Sequence, residues 1–166
     1  MAVTVNVYDQ AATVFAQGLA NIDGTNNGLG AISAGDTYAT FKVALFNNFP
    51  DTKFVSTHTV FSDLAANGST EITTNGVPAG GVIITNPEIV TTGGNDAYFD
   101  ADDFTVTASG GDITANYGVL YRTATTEDNV DRLLLHIDFG QEETAANTTQ
   151  FKIVWSASGI FSFVVA

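Results

Sequence analysis

Apolar and polar residues alternate along much of this 166-residue chain, most densely between Ala97 and Ala166. There Phe104-Thr-Val-Thr-Ala, Ile113-Thr-Ala-Asn-Tyr-Gly-Val-Leu-Tyr, Leu133-Leu-Leu-His-Ile-Asp-Phe, Phe151-Lys-Ile-Val-Trp and Ile160-Phe-Ser-Phe-Val-Val follow one another across short polar turns. A period of two marks a strand with one face buried, so these runs are expected as consecutive antiparallel strands. The clearest strand of the first half is Tyr38 to Phe46, with Phe41, Val43 and Leu45 on one face and Thr40, Lys42 and Ala44 on the other. Shorter strands are expected at Glu71 to Thr74 and Gly81 to Thr85 around an Asn75-Gly76 turn, with Pro78-Ala-Gly-Gly as a second break. Another follows Pro87 at Ile89 to Thr92. The apolar members of the best runs define an expected core of Phe41, Val43, Leu45, Val119, Leu133, Leu135, Ile137, Phe151, Ile153 and Trp155.

Two segments break the alternation. Tyr8, Ala11, Ala12, Phe15 and Leu19 recur at three- and four-residue steps, which predicts an amphipathic helix over residues 8 to 19. Ser62 to Gly68 reads as a short second helical turn, with Ser62 as N-cap and Gly68 as the stop. Between helix and first strand, Asn21 to Gly35 is rich in Gly, Asn and Ala and has too few large side chains to fold alone. Asn21, Ile22, Asn26, Leu29 and Ile32 in this arm are therefore the expected contacts to another subunit. The expected fold is mainly β: one domain over residues 1 to 166, an antiparallel β-sandwich or distorted barrel, with residues 1 to 35 forming the helix and arm.

Composition narrows the functional classes. Eighteen acidic against five basic residues give a net charge of −13, which repels nucleic acid. The absence of cysteine removes disulfides and thiolate chemistry, and no basic-then-apolar leader or long apolar run points to secretion or a membrane.

Candidate chemistry is sparse. His136 and Asp138 are expected to share a strand face without a nucleophile, and His58 lies in a Thr-rich loop. Asp96, Asp100, Asp102 and Asp103 form the one candidate calcium site, since calcium takes hard oxygen ligands, but solvated carboxylates at a turn are the simpler reading. Glu127-Asp128 and Glu142-Glu143 read as solvated turns, and Trp155 as a cap on the sandwich ahead of Ser156-Ala-Ser-Gly159. No cofactor is expected, because no phosphate-cradling or dinucleotide motif is present.

Taken in order, Tyr38 to Phe46, Val77-Pro-Ala-Gly-Gly, Ala97-Tyr-Phe-Asp-Ala-Asp-Asp-Phe-Thr-Val, Ala115-Asn-Tyr-Gly-Val-Leu-Tyr, His136-Ile-Asp-Phe-Gly and Phe151-Lys-Ile-Val-Trp-Ser-Ala-Ser-Gly-Ile resemble a group of small virion structural proteins of tailed bacteriophages. The resemblance implies a non-enzymatic capsid decoration, or cement, protein on the outer capsid surface. Its implied partners are further copies of itself, as a trimer, and the major capsid protein. Two alternatives stay open: a tail or fibre-associated carbohydrate-binding module using exposed aromatics, and a glycan-cleaving enzyme using two loop carboxylates.

Overall fold

The computed structural model describes residues 3–16, 40–48, 54–93, 96–124 and 129–163. Over these residues it is mainly β, with antiparallel sheets, two short helices and no closed barrel. The elements are β1 (Thr4–Val7), α1 (Ala11–Ala16), β2 (Phe41–Asn48), α2 (Phe61–Ala66), β3 (Thr70–Glu71), β4 (Val82–Ile83), β5 (Glu88–Gly93), β6 (Asp96–Asp100), β7 (Phe104–Thr107), β8 (Ile113–Arg122), β9 (Arg132–Ala145), β10 (Gln150–Ile153) and β11 (Phe161–Phe163).

A six-stranded sheet runs β1-β9-β8-β2-β3, with β4 also paired to β2. Two smaller sheets, β10-β7 and β11-β6-β5, pack on one of its faces. The core between the layers joins Phe41, Val43 and Leu45 of β2 to Phe99 of β6, Phe104 of β7 and Phe151 of β10. Phe15 of α1 closes one end, with its ring 5.4 Å from Phe99 and 5.1 Å from Phe161. On the opposite face of the large sheet, Ala44, Phe46, Val119 and Leu133 pack under Leu64 of α2 and the ring of Tyr8. Strand β2 is thus covered on both faces, and its buried residues run without interruption from Val43 to Phe46.

The strands are antiparallel but not consecutive neighbours, which corrects the sequence expectation. Strands β8 and β9 form a hairpin in the large sheet, whereas β7 pairs with β10 and β11 with β6. The β7–β8 and β9–β10 connections change layer at a common corner. It is fastened by Ala108 N–H donating to the Thr149 carbonyl and by the Asp112 carboxylate accepting from Asn147 N–H. Strand β9 also outlasts its predicted end at Phe139: it bends at Gly140, φ 74°, and continues to Ala145. Glu142 and Glu143 are exposed as expected but lie on this strand, not in a turn.

A bulge near the start of β9 settles which face its leucines take. Tyr121 pairs with Leu133 but Leu120 pairs with Leu135, so Leu134 is the extra residue. Leu133 consequently joins the core under α2, while Leu134, Leu135 and Ile137 join the core between the layers. All three leucines are buried, although the simple alternation put Leu133 and Leu135 on one face. Ile153 and Trp155 are only partly buried at the edge of the inter-layer core, and the other eight expected core residues are buried.

The helices also differ from the pattern. The described part of the first begins at Ala11, because Tyr8 still follows the strand and donates its N–H to the Leu134 carbonyl. Ala12 is exposed, and Val14 takes the buried position beside Ala11. Leu19 and the arm Asn21 to Gly35 lie outside the described residues, as do Glu127 and Asp128. In α2, Ser62 is inside the helix and Val60 occupies the N-cap. A valine has no side-chain acceptor, so the cap is made from within: the Asp63 carboxylate accepts from Thr59 N–H at 2.8 Å and Val60 N–H at 3.0 Å. Gly68, φ 84°, stops the helix as expected, with Gly68 N–H bonding Ala65 and Ser69 N–H bonding Leu64.

Candidate functional site

The acidic residues proposed for calcium do not converge. Asp96 and Asp100 occupy the two ends of β6, a separation of about 13 Å at the rise of a strand. Asp102 accepts from the Thr85 hydroxyl at 2.8 Å and the Asn86 amide at 2.7 Å, which ties the end of β6 to the loop before β5. Asp103 turns the other way, with one oxygen 2.8 Å from Lys152 Nζ and the other accepting from Trp155 N–H. The hydrogen bond from Lys152, and then that from Trp155, hold its carboxyl below the usual range. Among the described residues no group of three or more His, Asp or Glu side chains is placed to hold a metal ion.

His136 is buried on the α2 side of the sheet, its ring 5.5 Å from the rings of Phe54 and Tyr117. Desolvation lowers its pKa to about 4, against a smaller upward pull from Asp138. Asp138 meanwhile accepts from Gly140 N–H at the bend of β9. The residues are neighbours as expected, but burial rather than the carboxylate governs the imidazole. A ring kept neutral among aromatics serves packing. His58 is half-buried in the loop before α2.

Glu71 performs a similar structural task on β3. Its carboxylate accepts from Gly80 N–H, while burial raises its pKa. This bond draws the Pro78-Ala-Gly-Gly turn against β2 so closely that a Cβ on Gly81 would lie 2.2 Å from the Val43 carbonyl oxygen. Tyr121 donates its hydroxyl to the Gly80 carbonyl from the neighbouring strand.

Among the described residues, an apolar surface open to a partner lies at the β1 end of the large sheet. Strand β1 pairs with β9 through Thr4↔Asp138 to Val7↔Leu135, which places Val5 opposite Ile137. The covering layer passes over β9 but leaves β1 open: Val3, Val5 and Val7 are 58, 49 and 50% exposed, and Val154 beyond β10 is 67% exposed. Between them runs a shallow groove of about 140 Å³ with Leu135, Ile137 and Trp155 in its wall. Trp155 is fixed there by donating its indole N–H to the Asp102 carbonyl and its backbone N–H to Asp103. Gly159 permits the following turn, since a Cβ there would meet the Tyr98 ring at 2.3 Å. Trp155 therefore does cap the inter-layer core, at its open rim.

The sequence signal for this surface is Val3-Thr-Val-Asn-Val, a strict alternation that reading the N-terminus only for a leader passes over. The partner contacts expected at Asn21, Ile22, Asn26, Leu29 and Ile32 lie outside the described residues. No family model, no curated protein and no solved structure matches the chain.

Proposed function

We propose that this protein is a non-enzymatic structural module that self-associates and binds a protein lattice, as a capsid decoration protein on the outside of a tailed-phage head. The observation that supports this reading is the kind of apolar side chain left exposed. The large hydrophobic residues open to solvent, among those described, are Val3, Val5, Val7, Ile83, Ile89, Val130 and Val154. None is aromatic. A sugar-binding module presents aromatic faces to solvent, whereas a protein contact is built from an uncharged apolar patch with a polar surround. Here the described aromatic rings other than Tyr98, which is half-buried, pack into the cores or their rims, and an aliphatic strip lies on a chain of net charge −13. The phage head as the lattice, the major capsid protein as partner and the trimeric state rest on the sequence resemblance.

Gradient centrifugation with undecorated phage heads tests the proposal. The purified protein is expected to co-sediment with the heads at a saturable stoichiometry. Protein that stays at the top of the gradient and instead binds immobilised glycans would replace this reading with the carbohydrate-binding module.

A further inference from the structure

The edge strand β1 has a sequence that complements itself. In antiparallel pairing with a second copy centred on Val5, Val3 falls opposite Val7, Thr4 opposite Asn6 and Val5 opposite Val5. Such a register sets valine against valine on one face and hydroxyl against amide on the other. No charge meets a like charge, a condition that an acidic chain seldom meets when it associates with itself.

The backbone is arranged for the same pairing. Tyr8 N–H bonds the Leu134 carbonyl, so Tyr8 and, by the alternation of a strand, Asn6 and Thr4 direct their main-chain groups toward β9. Val3, Val5 and Val7 direct theirs outward. No strand lies beyond β1 among the described residues. Natural edges are guarded by lysine, proline or a bulge, and this one carries none of them.

We infer that β1 is a two-fold contact between copies of this chain, joining two six-stranded sheets edge to edge through Val3-Thr-Val-Asn-Val. The exposed valines then continue the apolar face beside the Trp155 groove across the symmetry axis. An isologous contact of this kind closes on itself as a dimer, so the inference goes beyond the proposed function and replaces the trimer by a dimer as the elementary unit.

Cysteine cross-linking reads the register directly, because the chain has no cysteine of its own. The main-chain groups of Val5 point outward, which makes Val5 and its symmetry mate a hydrogen-bonded pair with Cα atoms about 5.5 Å apart, within disulfide range. Val5→Cys is expected to form a covalent dimer under mild oxidation. Val3→Cys alone should not, as its mate lies about 13 Å along the partner strand, but Val3→Cys mixed with Val7→Cys should. The unmodified protein is expected to sediment as a dimer and Val5→Lys as a folded monomer, with the circular dichroism spectrum unchanged. A monomeric unmodified protein, or an oligomer that Val5→Cys fails to cross-link, overturns the inference. In the latter case co-sedimentation with phage heads is read separately, and the proposed function survives the loss of this contact if that binding persists.

Discussion

Strands β2 and β1 begin from the same kind of pattern and end in opposite environments. Phe41-Lys-Val-Ala-Leu carries a large apolar residue at every second position, as Val3-Thr-Val-Asn-Val alternates apolar and polar ones. In β2 the residues Phe41, Val43 and Leu45 are completely buried, while in β1 three valines are about half exposed. The difference is position in the sheet. Strand β2 has β8 on one side and β3 and β4 on the other, and both of its faces are covered, whereas among the described residues β1 pairs with β9 alone. Alternation therefore specifies extended backbone and the sorting of side chains between two faces. How much of either face is buried depends on what the rest of the chain lays across it.

The largest effect that should separate the two strands is truncation at the centre. Phe41→Ala removes a ring packed 5.0 Å from Phe99 and 6.3 Å from Phe15, and should cost about 3–5 kcal/mol in urea unfolding. A loss below about 1 kcal/mol would show that the two layers do not depend on this contact.

The second effect depends on pH and probes β9, which lies between the sheet's centre and β1. The unfolded His136 imidazole takes up a proton near pH 6.5, but the buried ring does so only near pH 4. Between those values the unfolded state binds the extra proton, so stability rises with pH there. It should be complete above about pH 6.5 and decline by about 3 kcal/mol as the pH falls to 4. His136→Leu should remove that part of the slope when urea midpoints are compared at pH 4.5 and 7.5. An unchanged slope would assign the acid sensitivity to other groups.

Smaller still is the cap of α2. Its two backbone hydrogen bonds, the one from Val60 foremost, lower the Asp63 pKa, so its contribution is present above the ordinary carboxylate pKa and is lost on acidification through the lower folded value. Asp63→Ala should cost about 1 kcal/mol at neutral pH and less as the pH is lowered, measured as the difference in unfolding free energy from the parent. The smallest effect is expected at the edge. Val5→Lys should alter the folding stability of the monomer by no more than about 0.5 kcal/mol, because a half-exposed side chain gives up little on substitution. A loss as large as that of Phe41→Ala would mean that β1 is held as tightly as β2.

Much of the fold was legible in the chain. Phe41 to Leu45, Phe104 to Thr107, Ile113 to Tyr121 and the start of β9 at Leu133 carry their strand assignment in local alternation. Gly68 and Asn75-Gly76 carry theirs in a left-handed backbone that glycine and asparagine adopt at little cost. The candidate surface was less legible. Val3, Val5 and Val7 are apolar in the manner of core residues, and nothing local to them records that they are left about half exposed. The four aspartates, by contrast, are close in sequence and diverge in space, because an extended strand carries residues apart faster than a loop does.

The sequence by itself therefore determined the β class, the turns at Gly68 and Asn75-Gly76, most of the core and a net charge of −13, since these depend on residue type and nearest-neighbour spacing. The tertiary structure alone decided that β7 joins β10, that Leu134 is the bulged residue placing Leu133 and Leu135 in different cores, and that β1 is an edge strand among the described residues. Strand pairing and register are settled by contacts between residues tens of positions apart. A one-residue slip exchanges the two faces of a strand, and only the packed layers select between them.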